Sequence, residues 1–138
     1  MTIRLIYKSR ATFPPFSVTD VDIMREADSH NSENDITGFL VRLDWMYIQV
    51  LEGEREAVNT LIQGIIKDPR HYAYQMIQLV EIEQRMFGDW SMGYMDMSGK
   101  KLAFSSMLQG LSDTSPAEDM GHVLNHIAHA AQMQSGQP

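Results

Sequence analysis

Cysteine is absent from the 138-residue chain, which excludes disulfides, thiolate metal sites and thiol redox chemistry, so any oxidation or reduction has to run through a cofactor. Positive charge is scarce. Eleven Lys and Arg are scattered among eighteen Asp and Glu, giving a net charge of -7 and a pI near 5.1. That balance argues against nucleic acid or an anionic membrane as a partner. No apolar run approaches membrane-spanning length, and the chain begins with a strand-like stretch rather than a basic and apolar leader. A cytoplasmic protein is expected. At 43% hydrophobic and 21% charged residues, the length fits one globular domain with a modest core and a short appendage.

What is present centres on residues 36–53, ITGFLVRLDWMYIQVLEG, two apolar strand-like runs joined at Asp44 and Trp45. Alternation puts Tyr47, Gln49 and Leu51 on one face and Ile48, Val50 and Glu52 on the other. An uncharged amide at position 49 therefore faces the interior. Leaving either end of it unpaired there costs about 1–3 kcal/mol, so Gln49 calls for a polar ligand or a second polar side chain.

Residues 2–9 alternate in the same way, with Ile3, Leu5, Tyr7 and Ser9 on one face and Arg4 and Lys8 on the other. Tyr7 is either a core aromatic whose hydroxyl finds some acceptor or the partner of Gln49. Phe13-Pro14-Pro15-Phe16 breaks the strand, and Thr19 with Asp22 three residues on predicts a helix N-cap. The helix runs to about residue 32. Its stripe of Ile23, Ala27, His30 or Asn31, and Asn34 turns polar towards the end. Asn34 reads as a C-cap and turn residue. Asn31, one turn inside, either does the same or aims its amide at a bound ring.

A second helix over 54–67 buries Val58, Leu61, Ile62 and Ile65 and stops at Asp68-Pro69. Gly64 inside it predicts close packing against the backbone. Arg70 and His71 follow, placed to hold a phosphate or carboxylate or to interact with the helix C-terminal dipole. Residues 75–83 read as a strand, and 90–95 as a shorter one with Trp90, Met92 and Tyr94 on a shared face. This order predicts an α+β, ferredoxin-like βαββαββ sandwich, with two helices on one face of a mostly antiparallel sheet and right-handed crossovers. A ligand would lie between the helices, above Tyr7 and Gln49.

The tail reads as a C-terminal helical extension. Gly99-Lys100-Lys101 suggests a hinge, 102–111 a short helix, and Ser115-Pro116-Ala117-Glu118 the start of a capped helix over about 116–133. Met120, Leu124, Ile127 and Ala131 form its apolar stripe, suited to the outer sheet face or another subunit. His122, His126 and His129 share another face, read as solvated surface rather than a metal site, and 135–138 as frayed.

LIYKSRA at 5–11, ITG at 36–38, QVLEG at 49–53, DPRH at 68–71 and F-x-x-W-S-M-G at 87–93 together resemble the BLUF family, sensors of blue light using FAD. The resemblance covers about residues 2–95. It implies a photosensory domain over 1–98, the tail over 99–138 lying outside it, and non-covalently bound FAD between the two helices. Tyr7 would give an electron and a proton to the excited flavin, and Gln49 would stand between that tyrosine and the flavin N5 and C4 carbonyl. Asn31 would bond the pyrimidine edge, with His30 beside it. Ile23 and Ile65 would pack on the ring faces, Ser9 and Tyr47 would complete the cofactor contacts, and Arg70 and His71 would lie near the ring and the ribityl or phosphate end. Trp90 and Met92 would relay the signal. His30, where relatives commonly show Asn or Arg, and Tyr47, where Phe is common, depart from the pattern.

The resemblance implies a photoreceptor rather than an enzyme. Light would leave Gln49 rotated or as a tautomer, a state held only by hydrogen bonds and therefore decaying thermally. Because no catalytic domain follows the sensing module, output is expected in trans, through a homo-oligomer or a downstream protein partner, with the tail helix and outer sheet face as the surface. The competing readings are a ferredoxin-like small-ligand or protein-interaction module without light sensing, and a hydrolase of the acylphosphatase kind, for which YKSRATFPPF supplies Arg10 but no glycine-rich loop.

Overall fold

Period-two runs of apolar residues become strands wherever two such runs can face each other, and 36–53 does so across a two-residue turn. In a computed structural model, which describes residues 1–15, 17–99 and 103–134, β1 (Thr2–Ala11) leads into α1 (Val18–Glu33). The hairpin of β2 (Thr37–Leu43) and β3 (Met46–Glu54) follows, then α2 (Arg55–Ile66), β4 (His71–Glu81) and β5 (Gly93–Asp96). Asp44 takes φ 52° in the turn, as a two-residue hairpin loop demands. The tail holds α3 (Ala103–Gln109) and α4 (Ala117–Gln134). The strand order is β4-β1-β3-β2-β5. All neighbours pair antiparallel except β2 and β5, which run parallel. This is the expected ferredoxin-like arrangement with one added edge strand.

The sheet buries both faces. On one, Ile3, Leu5, Tyr7, Leu40, Tyr47 and Leu51 meet Val58 and Ile62 of α2, with Ile23, Met24 and Ala27 of α1 half-buried against them. On the other, Ile6, Phe39, Val41, Ile48 and Val50 meet Leu108 of α3 and Met120, Val123, Leu124 and Ile127 of α4. Those four α4 positions follow the three-and-four spacing of one helix face, and each fully buried aliphatic side chain contributes about 2 kcal/mol. The tail is thus docked on the outer sheet face. Among the described residues, no helix is long and apolar enough to cross a membrane.

The structure departs from the sequence reading in several places. Helix α1 is preceded by Ser17 as N-cap, without a side-chain cap bond, so Thr19 and Asp22 do not cap it. Gly64 is exposed, and a Cβ there would meet nothing within 4 Å; nothing packs against it. Close approach is instead at Gly38, where a Cβ would lie 2.0 Å from the Val50 carbonyl oxygen, and at Gly93, where it would lie 2.3 Å from the Phe39 ring. Ser115 Oγ accepts from the Ser112 amide, closing the turn before α4. Phe16, Lys100, Lys101, Leu102, the Ala131 side chain and 135–138 lie outside the described residues.

The connection from β4 to β5 joins the two opposite edges of the sheet and is tied to the central strand β3 by a buried carboxylate. Glu52, 0% exposed, accepts from the amides of Met86 and Phe87 at 3.0 and 2.7 Å and from Arg4 Nε at 2.9 Å. A charge taken out of water is tolerated only with such a complete set of donors.

Candidate functional site

Strand register builds the centre of the site. Tyr7 and Gln49 are direct partners across β1 and β3, so their side chains leave the same face side by side, 4% and 5% exposed. Tyr7 Oη donates to Gln49 Oε1. The amide nitrogen, Gln49 Nε2, donates to Met92 Sδ at 3.5 Å, a weak acceptor. One end of the carboxamide is therefore firmly held and the other only loosely. β-bulges on the β1–β4 side fall between Ile6 and Tyr7 and between Lys8 and Arg10, bracketing the phenol as bulges often do beside functional residues.

A cavity of about 120 Å³ opens above this pair, between the helices. Ile23 and Ala27 of α1 and Ile65 of α2 form its sides, Tyr7, Leu40, Tyr47 and Gln49 its floor, and Glu26, Asp68, Arg70 and His71 its remaining wall. His71 Nε2 donates to the Ile65 carbonyl oxygen at 2.6 Å, which leaves Nδ1 to accept from Ser9 Oγ at 2.7 Å. The ring is fixed between β1 and the end of α2, 6.2 Å from the Tyr7 ring and 6.5 Å from that of Tyr47. Arg70 pairs with Asp68 at 2.6 Å and with Glu26 at 2.8 Å. That guanidinium holds the Asp68 carboxyl below the usual range, against the opposing pull of partial burial.

Asn31 supplies the test of whether a ring system fits. It is 0% exposed and lies one turn beyond Ala27 on α1. Its Nδ2 donates to the Ser91 carbonyl oxygen at 2.8 Å, while its Oδ1 has no partner among the described residues. A buried acceptor left unpaired costs about 1–3 kcal/mol. A flat heterocycle offering an N–H at one edge and apolar faces to Ile23 and Ile65 matches that need. Neither Asn31, one turn beyond Ala27, nor the exposed His30 lines the cavity itself, so a ring would have to extend past Ala27 to meet Asn31. Trp90 and Met92 do not share a face, contrary to the sequence reading. The strand starts only at Gly93, and the bend before it sends Met92 into the cluster beneath the helices and Trp90 into the outer one, edge-on to Phe39 at 6.2 Å.

Sequence reasoning missed a buried polar group that meets the cavity only through Tyr47. Arg42, 0% exposed, bonds Asp20 Oδ1 at 3.0 Å, Tyr47 Oη at 2.8 Å, the Asp44 carbonyl oxygen at 2.7 Å and that of Phe13. Tyr47 Oη also donates to Asp20 Oδ1, and Tyr94 Oη to Asp20 Oδ2 at 3.1 Å. The signal was available. Arg42 shares the inward face of its strand with Leu40, and Asp20 stands three residues before Ile23 on the inward face of its helix, so an inward cation and an inward carboxylate were waiting for each other. His122, His126 and His129 are exposed on α4. Among the described residues, no cluster of His, Cys, Asp and Glu could hold a metal.

Burial is the main reason that the phenols of Tyr7, Tyr47, Tyr74 and Tyr94 all sit above their usual value of 10.0. The unfolded chain releases these protons near pH 10 and the folded chain retains them, so stability is full below that value and falls as pH rises beyond it. We expect tyrosinate absorbance from these residues to appear together with loss of circular dichroism in a single alkaline step. Tyrosinate formed by all four while the fold persists would contradict this burial.

Residues 2–93 match the BLUF family, sensors of blue-light using FAD. The photoactivated adenylate cyclase subunit beta of Euglena gracilis is 33% identical over 89 residues, 64% of this chain and 10% of that protein. The chain thus spans about a tenth of that relative's length. Among solved structures, BlrB, a BLUF protein in its dark state, aligns with TM-score 0.79 and 34% identity over 94% of this chain and 96% of its own. The photo-activated state of BlsA aligns with TM-score 0.77 and 28% identity over 93% and 95%.

Proposed function

The chain belongs to the BLUF family, sensors of blue-light using FAD, and from that membership we propose that it is a blue-light photoreceptor holding FAD non-covalently between α1 and α2. The observation that carries the proposal is the buried hydrogen bond from Tyr7 to Gln49 on the floor of a cavity with apolar sides. Ile23 and Ile65 would flank the ring, Asn31 Oδ1 would accept from its edge, and His71 and Arg70 would lie towards the ribityl and phosphate end. Arg70 enters with its charge already shared by Asp68 and Glu26, so a phosphate would bind there only by drawing it away from them.

Bound flavin excited by blue light supplies an oxidant strong enough to take an electron from a phenol. Tyr7 would give the electron to the flavin and its Oη proton to Gln49 Oε1 while Gln49 Nε2 gives up a proton towards the ring, and the reverse transfers would return electron and proton to Tyr7 with no net oxidation. Gln49 comes back rotated or as a tautomer, with its hydrogen bonds aimed at new partners. The Nε2 contact to Met92 Sδ, the weakest bond of the set, is the one most easily given up. The domain senses and does not catalyse. Its output runs in trans, through self-association or a protein partner, with 1–98 as sensor and the helices of 99–138 as the responding element.

The purified protein should be yellow, and blue illumination should shift the flavin absorption to the red, with full reversal in the dark. A colourless protein that cannot be reconstituted with FAD, or a yellow one whose spectrum ignores light, would leave the ligand-binding or interaction-module reading in its place.

A further inference from the structure

The residues that follow β4 are attached to the rest of the protein in two different ways, and the boundary falls at Gly93. Before it, Trp90 O accepts from the Gly38 amide at 3.0 Å, Ser91 O from Asn31 Nδ2 at 2.8 Å and Met92 Sδ from Gln49 Nε2 at 3.5 Å. Two of these ties end on the amides of the ring site, and Ser91 Oγ also donates to Asp28 Oδ1 of α1. After it, Tyr94 Oη donates to Asp20 Oδ2 at 3.1 Å and the Met97 amide to the Arg42 carbonyl oxygen at 2.7 Å. Further along, Ser98 Oγ accepts from the Asp44 amide at 2.8 Å, and the Gly99 amide donates to Asp44 Oδ1 at 2.9 Å. None of those ties touches Gln49 or Asn31.

We propose that Asp20 and Arg42 are positioning residues that, together with Asp44 at the far end, clamp the segment 94–99, so that a change at Gln49 moves only 90–92 and leaves through Trp90 rather than along β5. This rests on the photoreceptor reading above. The clamp is rigid because a fully buried guanidinium forks onto Asp20, Tyr47 and two backbone carbonyls at once, and Asp20 spends its second oxygen on Tyr94. Buried, fully paired polar networks of this kind have one arrangement and resist small displacements. Ser91 and Met92, in contrast, hang from Asn31 and Gln49, and Trp90 next to them is held by one backbone bond from Gly38. Trp90 stands edge-on to Phe39, whose ring lies 5.8 Å from that of Phe87, and all three pack in the cluster that holds Val123, Leu124 and Ile127 of α4. A displaced Trp90 therefore disturbs the cluster into which the tail packs.

Amide exchange read by NMR on the FAD-loaded full chain, in the dark and under blue light, tests this. In the wild type, light should speed exchange at 90–93 and in α4 and leave 94–99 unchanged. Tyr94→Phe removes one half-buried hydroxyl. It should keep the red shift, raise exchange at 94–99 about tenfold in the dark, and let the light response spread into that segment. Asp20→Asn, which keeps the shape but weakens both ties to the carboxylate, should do the same. Light-driven exchange at 94–99 matching that at 90–93 in the wild type, or unchanged protection of 94–99 in both variants, would overturn the clamp. A missing red shift in the wild type would instead count against the photoreceptor reading, and dark exchange at 94–99 in the variants would still report on the clamp.

Discussion

Gln49→Leu is expected to bind FAD, to stay folded, and to lose the light-induced red shift completely. Leucine is close to glutamine in volume and suits a site that is 5% exposed, so the cavity walls from Ile23 to His71 keep their places. What disappears is the acceptor for Tyr7 Oη and the donor to Met92 Sδ. Leaving one buried phenol unpaired costs about 1–3 kcal/mol, partly offset because an amide no longer has to be desolvated. Unfolding in denaturant should therefore shift modestly. The photochemistry has no such compensation, because among the described residues Gln49 is the hydrogen-bond partner of Tyr7 Oη and leucine offers none. Absorption spectra before and after a blue pulse decide the matter, and a normal, reversible red shift in Gln49→Leu would remove the amide from the switch. Tyr7→Phe should give the same silent spectrum by removing the other partner.

Side-chain alternation made that pair legible. In strands the period of two fixes which residues share a face, so Tyr7 and Gln49 could be aimed inward without knowing that β1 and β3 are neighbours; pairing them rested on the resemblance. The stripe of α4 was legible for the same reason, with Met120, Leu124 and Ile127 all buried. Its choice of the outer sheet face was not, since an apolar stripe fits any apolar partner. The error at Trp90 came from extending the period of two across Ser91-Met92, where the chain bends and Gly93 has to lie flat against Phe39. Alternation carries no information beyond the last paired residue. Asp20 is hard to single out in the sequence, because an acidic residue in a first helical turn also suits the helix dipole, and nothing local says that this one is 4% exposed. Its partner lies 22 residues away on β2. Long-range ion pairs are visible from the sequence only when both ends are first recognised as facing inward.

The same pair should show the largest stability effect in the protein. Arg42→Met keeps the length and most of the volume of the side chain, so the packing loss is small. The charge balance is not kept, because Asp20 is left as a carboxylate at 4% exposure with only the hydroxyls of Tyr47 and Tyr94 to hold it. Removing one partner of a buried ion pair typically costs about 3–5 kcal/mol. The two phenols donate to Asp20 in the wild type as well, so they limit the exposure of the stranded charge without offsetting the loss. A net loss of about 3 kcal/mol is expected in chemical denaturation at neutral pH, a large share of the 5–15 kcal/mol that a domain of this kind possesses. The double variant Asp20→Asn with Arg42→Met separates charge from shape. With no charge left to strand, it should be more stable than Arg42→Met alone, giving a coupling of at least 1 kcal/mol in the mutant cycle. If the double variant lost the sum of the two single effects, Arg42 would be acting through its other partners and its packing, and the salt bridge to Asp20 would carry no weight in the fold.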